Sequence, residues 1–474
     1  MTQAVFHRAS QRALNDNTLQ RALGHIQAGF VVKRALAKER LPEFDAIREN
    51  AVAIKNHTLQ HLDYYLEVFA DRVEFNGGRV HWAEDASEAC EQVLAICHAV
   101  NARHVVKSKS MLTEEIELNV ALEKAGLSVT ETDLGEYIIQ QRGEKPSHIV
   151  APAIHLLKEQ VAETFYRCHS QFPADRSLSE AQRLLSEARH VLREKYFLAD
   201  VGITGANFLI AETGAAVMVT NEGNGDLVRA LSRVHIVIAS IEKVLPTVED
   251  TMQLLRLLPR SATGQEITAY VTFSMGPRRS GDWGGPEQFH VILVDNGRSH
   301  LLGSALQEML RCIRCGACLN HCPVYQAIGG QAYGSVYPGP MGAVLTPALV
   351  GIEKHHDLPN ASTFCGRCET VCPVHIPLPQ MMRHYRAEAF KKRLGSRRSL
   401  LALKVWAFLS QHPGIYQASL RVMSRLLRLW AGGRSRVQYL PFARGWTHYR
   451  DFPIPTQRTF QQWWAEQPEK THHE

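Results

Sequence analysis

Cys312-Ile313-Arg314-Cys315-Gly316-Ala317-Cys318-Leu319-Asn320-His321-Cys322-Pro323 organises the reading of this 474-residue chain. Two residues separate the first three cysteines and three residues precede the fourth. That spacing wraps three thiolates around one iron–sulfur cube and sends the fourth to a neighbouring cube, and the proline turns the chain away. A shift of 50 residues lays Cys315 on Cys365, Cys318 on Cys368, Cys322 on Cys372, Pro323 on Pro373 and Val324 on Val374, and Gly316 on Gly366. The duplication predicts crossed ligation, with Cys312, Cys315, Cys318 and Cys372 on one cluster and Cys322, Cys365 and Cys368 on the second.

Ser362 stands where the repeat would place a counterpart of Cys312, so the second set has three thiolates. Its fourth position is open among a Ser362 oxygen, a solvent or other non-protein ligand, and a three-iron cluster that needs none; His355 and His356 are nearby candidates. The expected cofactors are two [4Fe-4S] clusters, the second either [3Fe-4S] or a cube with a non-cysteine ligand. Zinc also uses paired cysteines, but four ligands satisfy it and seven duplicated ones do not fit. Cys90, Cys97 and Cys168 are scattered, and the clustering of the other seven suits metal binding in a reducing compartment.

Outward from the cysteines, four segments are expected. Residues 1–75 read as helical, with Leu59, Leu62, Tyr65, Leu66 and Phe69 at helical spacing. Residues 76–300 alternate apolar runs with amphipathic stretches, the rhythm of a parallel α/β domain. The runs at 104–106, 208–210, 215–219, 234–238, 269–273 and 290–294 are expected to form one sheet, and 113–125 one helix, with Glu114 to Glu117 favouring its positive end. Residues 301–390 are the turn-rich ferredoxin-type domain. Residues 391–474 have helical patches around Trp406 and Leu426, then a proline-containing tail.

Net charge is +6, but fifteen Lys/Arg and one acid, Glu388, fall between Arg383 and Arg450 and carry +14, leaving −8 elsewhere. A basic region on an acidic body predicts docking to an acidic partner or an anionic membrane surface. Met1 to Gly24 is interrupted by charges and lacks the apolar run of a secretory signal, and Leu400 to Leu409 is broken by Lys404, well short of a roughly 20-residue span. The expected location is cytoplasmic, peripheral to the inner face of the membrane if the basic region docks there, with no nucleic-acid partner.

The chain resembles the lactate-utilisation protein B family of iron–sulfur proteins over nearly its whole length. The resemblance is carried by 106–111 (VKSKSM), 113–115 (TEE), 132–137 (TDLGEY), 202–207 (GITGAN), 212–214 (ETG), 220–225 (TNEGNG), Tyr333-Gly334 and 337–340 (YPGP). It implies a LUD domain of ribose-5-phosphate isomerase and CoA-transferase-like α/β fold, followed by a helical ferredoxin domain whose second motif has the same three-cysteine form. It also implies the electron-carrying member of a complex that, with two other subunits, oxidises L-lactate to pyruvate and passes electrons to an acceptor.

A second site is expected at the strand-end loops of the α/β domain. Lys107 and Lys109 would bind a carboxylate or phosphate, Thr204, Asn207, Thr213, Asn221 and Asn224 would supply hydrogen bonds, and Glu212 and Glu222 are candidate acid–base groups. No Gly-x-Gly-x-x-Gly follows a strand, so NAD or FAD is unsupported. Two other classes compete: a redox-sensing iron–sulfur protein acting through its basic tail, and a self-sufficient dehydrogenase for another 2-hydroxy acid.

Overall fold

The computed structural model describes residues 3–440, 443–448, 450–456 and 458–467. It divides into two units, Met1–Lys391 and Lys392–Glu474. The first unit contains ten strands: β1 (Arg79–Ala83), β2 (His104–Lys107), β3 (Ser128–Glu131), β4 (Val201–Gly205), β5 (Phe208–Ile210), β6 (Ala215–Thr220), β7 (Val234–Ser240), β8 (Val244–Leu245), β9 (Tyr270–Ser274) and β10 (Gln288–Val294).

Six of them make a parallel sheet in the order β1-β10-β7-β4-β2-β3. Every residue of β7 is buried, as expected for a strand covered on both faces. Its side chains alternate. Ile236 and Ile238 join Val93, Ile96, Leu118 and Leu122 on one face, while Val237 and Ala239 join Leu66, Phe69 and Val73 on the other. The helix Leu62–Phe75 therefore closes one side of the sheet, and His61 separates it from the helix Phe44–Gln60.

Two expectations are corrected. The runs at 208–210, 215–219 and 269–273 do not continue the parallel sheet; they lie in a second one, ordered β8-β5-β6-β9. Only four residues separate β5 from β6, too few for a parallel crossover, so the two pair antiparallel. The helix expected over 113–125 is two helices, Met111–Glu115 and Leu118–Lys124, broken where Glu117 adopts φ 54°. Ser110 caps the first. Glu114 and Glu115 turn inward to meet buried cations instead of serving the helix dipole.

The cysteine-rich segment is built from short helical turns and the helices Gly339–Val350 and Leu378–Lys391. The N-terminal helices clasp it. Gln20 donates to Ala327 O at 2.8 Å, Arg34 to Val371 O at 2.8 Å and Arg48 to Cys372 O at 2.7 Å. From the α/β side, Ser147 O accepts from Tyr325 Oη at 2.7 Å and Ser147 Oγ from Gly330 N at 3.1 Å. A Cβ on Gly330 would sit 1.7 Å from Ser147 O, so this close approach admits only glycine.

In the second unit, the helices Arg397–Gln411 and Pro413–Ala431 meet at His412, and Arg436–Val437 pairs antiparallel with Phe452–Pro453. The first helix buries none of its residues, and Leu401, Leu403, Trp406, Phe408, Leu426, Leu429 and Trp430 are all exposed. Among the described residues no helix is long and apolar enough to cross a membrane. The end of the expected basic region, residues 468–474, lies outside the described residues.

Candidate functional site

Gly316 and Gly366 occupy equivalent places in the two cysteine motifs, with φ of 75° and 79°, each opening a one-turn helix that carries the next two-residue step. The shared left-handed turn repeats the loop geometry along with the spacing. Cys315, Cys322, Cys368 and Cys372 are buried, Cys312 and Cys318 partly so, and Cys365 is exposed. Cys90 and Cys97 are buried in the helix Ala86–Ala99, far along the chain from either motif.

The thiols influence one another in two sets. Burial pushes Cys315 up to about 12, and Cys372 and Cys312 add to it. Burial likewise drives Cys318 well up, with Cys312, Cys315 and Cys372 contributing next and Cys368 of the other set after them. In the other set, burial and then Cys322 push Cys368 up to about 12, and burial raises Cys322 with help from Cys365. Cys365 goes the other way, lowered first by the backbone N–H of Arg367. Cys372, held up at about 11 by burial, receives backbone N–H groups from Ile376 and Val374.

These surroundings fit iron–sulfur clusters. Tyr333 Oη is buried without a hydrogen-bond partner beside Cys322 and Cys318, one thiol from each set. Arg34 Nε and Arg311 Nε are also buried without partners. Arg34 lies beside Cys315 and Cys372. Unsatisfied buried donors are costly, and an anionic cluster would supply acceptors to Tyr333 and Arg34. Among the described residues no three His, Cys, Asp or Glu side chains converge on a point that one ion would fill. Each thiolate of a cube binds its own iron and needs no such convergence. Ser362 Oγ accepts from Phe364 N at 3.1 Å, a turn within its own loop.

Beside the first set runs a buried seam of charge. Arg298, 1% exposed, pairs with Glu115 at 2.6 Å and with Glu242 at 3.1 Å, and Glu242 pairs with Arg314 at 3.2 Å. Burial pushes Glu242 up, but Arg298, Arg314 and Lys243 outweigh it and hold the carboxyl at about 2. Lys55 donates to Glu242 O, and Tyr337 donates to Glu115 and lies 4.7 Å beneath the Arg314 guanidinium. Arg314 directly precedes Cys315, so the seam ends on the cysteine loop.

The seam borders a cleft of about 260 Å³ at the carboxyl ends of β2, β3, β4 and β7. Five of the expected site residues line it together: Lys109, Asn207, Asn221, Glu222 and Asn224. Lys109 donates to Val150 O at 2.5 Å, Asn207 accepts from Val219 N at 3.0 Å, and burial followed by Asp133 raises Glu222 above the usual carboxylate range.

The other four stand outside that lining. Lys107 is wholly buried, 2.7 Å from Glu131 and 3.2 Å from Glu114; burial works against its charge, but the two carboxylates offset it and hold the ammonium on. Thr204 Oγ1 meets His235 Nε2 at 2.9 Å, Glu212 accepts from Val248 N at 3.1 Å, and Thr213 Oγ1 accepts from Ala215 N at 3.3 Å. The reading from sequence missed Lys243, Arg314 and Tyr337, which also line the cleft.

Comparison with known proteins agrees with this arrangement. The chain matches the models of the LUD domain over residues 66–294, of a 4Fe-4S dicluster domain over 308–376, and of the C-terminal region of lactate utilisation protein B over 385–469. An α/β LUD domain followed by a ferredoxin-like domain defines an iron–sulfur protein by class. Lactate utilization protein B of Shouchella clausii is 42% identical over 100% of this chain and 99% of that protein. The protein of the same name from Oceanobacillus iheyensis is 41% identical over 96% and 95%. This chain belongs to the lactate utilization protein B family. A crystal structure of a DUF162 family protein from Deinococcus radiodurans covers 49% of this chain and 98% of that one at 16% identity, with a TM-score of 0.28, too low to bear on the fold.

Proposed function

We propose that this chain is the electron-carrying subunit of a multi-subunit complex that oxidises L-lactate to pyruvate. The observation that supports the reading is the duplicated run of seven cysteines, four of which, Cys312, Cys315, Cys318 and Cys372, border one small cavity, with buried, unpartnered donors nearby. Cys312, Cys315, Cys318 and Cys372 would hold one [4Fe-4S] cluster. Cys322, Cys365 and Cys368 would hold the second, with Ser362 or a non-protein group completing it or with three irons in place of four. When bound, such clusters store and release single electrons. The chain's own cysteines would hold them, with Tyr333 and Arg34 beside the thiols as hydrogen-bond donors. The LUD sheet would be related to ribose-5-phosphate isomerase and CoA-transferase folds, with Lys109, Asn207, Asn221, Glu222 and Asn224 lining a ligand pocket.

The anaerobically purified chain is expected to stay oxidised with L-lactate alone and to be reduced by it once its partner subunits are added, followed by visible absorbance. Lactate-driven reduction without partners, or none with them, would sink the assignment.

The acceptor side would lie at the cytoplasmic face of the membrane. Exposed Trp406 and Trp430, with Lys404, Arg421, Arg425 and Arg428 on the same two helices, match the composition of helices that rest on anionic lipid. The full chain is expected to sediment with vesicles containing phosphatidylglycerol at low salt and to be released at high salt. Equal binding to neutral vesicles, or no binding at any salt, counts against this face being a membrane surface.

A further inference from the structure

The cleft beside the first cysteine set carries more than its LUD location requires. Lys243 is only 8% exposed and lines the cleft, yet its ammonium has no hydrogen bond or ion pair to any described residue. Its backbone is fixed by the 3-10 turn Ile241–Lys243 between β7 and β8, and the neighbouring Glu242 is committed to Arg298 and Arg314. The Lys243 ammonium opens on the cleft, where an anion would give it a charged partner. Arg314 lines the same cleft, and its Nη1 is buried without a partner, a cost that an anion in the cleft would relieve.

The charge of the lining sets the class of ligand. With the bordering seam counted, Lys55, Lys109, Lys243, Arg298 and Arg314 stand against Glu115, Asp133, Glu222 and Glu242, five cations against four carboxylates. The single positive charge left over matches a monoanion. A planar carboxylate suits the Arg314 fork, whereas a phosphate dianion would meet these acids with more charge than the cations offset. Met218, Ile238, Ala239 and Leu258 give the lining an apolar portion, and about 260 Å³ is room for a ligand of a few carbons.

We propose that the cleft binds one small organic monocarboxylate, its carboxylate held by Lys243 and Arg314, at the edge of the loop that carries Cys312 and Cys315. This rests on reading the cleft as a ligand pocket, and it names the residues and the charge that select the ligand. Because Arg314 belongs to the cysteine loop, a bound carboxylate is also a new charge beside the first cluster.

The test uses the full chain, purified anaerobically with its iron, in titration calorimetry with pyruvate, L-lactate and inorganic phosphate. Pyruvate or lactate is expected to bind with phosphate at least about tenfold weaker. Lys243→Met is expected to lose about tenfold or more in carboxylate affinity, the scale of one charged hydrogen bond, with Lys243→Arg restoring most of it. Iron and sulfide content should stay at the wild-type level in both variants. The carboxylate is further expected to perturb the electron paramagnetic resonance of the reduced first cluster in wild type and not in Lys243→Met.

No carboxylate binding to wild type, stronger binding of phosphate, or unchanged affinity in an iron-replete Lys243→Met overturns the proposal. The last result would mean that Lys243 serves only to balance cluster charge. Failure here is separable from failure of the electron-transfer assignment. Lactate-driven reduction with partner subunits reports on the assignment, and binding to the chain alone reports on the cleft.

Discussion

Cys372→Ser is expected to remove the cluster of the first set and leave the second, so that the anaerobically purified variant keeps about half the iron and acid-labile sulfide of the wild type. Cys372 belongs to the second motif in sequence, and a linear pairing of motif with cluster would predict the opposite loss. The crossed expectation follows from its surroundings. Cys372 acts on Cys315 and Cys318, and it borders the same small cavity as Cys312, Cys315 and Cys318. Cys365→Ser is the counterpart: it should weaken the second cluster and spare the first, because Cys365 acts on Cys322 and Cys368. Spectra of the two reduced variants should together reproduce that of the wild type. If Cys372→Ser and Cys365→Ser lose the same signal, the crossed assignment is wrong.

Glu242→Gln is expected to destabilise the first unit by about 3–5 kcal/mol, because it leaves two buried guanidinium groups facing a neutral side chain. Glu115 remains for Arg298. Arg314 has Glu242 as its sole ion-pair partner among the described residues, and an aromatic ring is a poor substitute for a carboxylate. The urea midpoint of the iron-replete protein measures the loss.

The pH dependence has a definite sign. The folded pKa of Glu242, about 2, lies below its ordinary 4.5, so its contribution is fully present above 4.5 and is lost as pH falls toward 2. From about pH 5.5 to 7, below the range near 8 where the buried Lys55 and Lys243 beside it lose their protons, the gap between wild type and variant should therefore stay level. A variant that unfolds at the wild-type urea concentration would show that the seam contributes nothing.

The cysteine motifs were legible because cluster ligation is written in local spacing and in a 50-residue repeat, and the dicluster match covers both motifs. Three strands of the parallel sheet, β2, β7 and β10, were legible for a similar reason, since buried strands leave continuous apolar runs. Lys107 shows where such reading stops. It sits at the end of β2 like a loop cation, but the register pairs it directly with Glu131 on β3, and register between strands is not marked in the sequence. The charge seam was invisible on the same grounds. Lys55, Glu115, Glu242, Arg298 and Arg314 come from segments with no shared period or motif, and only the packed structure brings them together. Lys243 was overlooked with them, as a single lysine after an apolar strand.

That seam also bears on how such a gene can be cut and inherited. The LUD and dicluster matches leave a gap between residues 294 and 308 that looks like a convenient joint. Arg298 falls inside it and pairs with carboxylates on the LUD side, while Arg314 reaches back from the cysteine side to Glu242. A break at that joint would strand unpaired charge on both fragments. Recombination that swaps one domain for a distant relative's would have to carry matching carboxylates with it, so the two modules are expected to travel through evolution as a single piece.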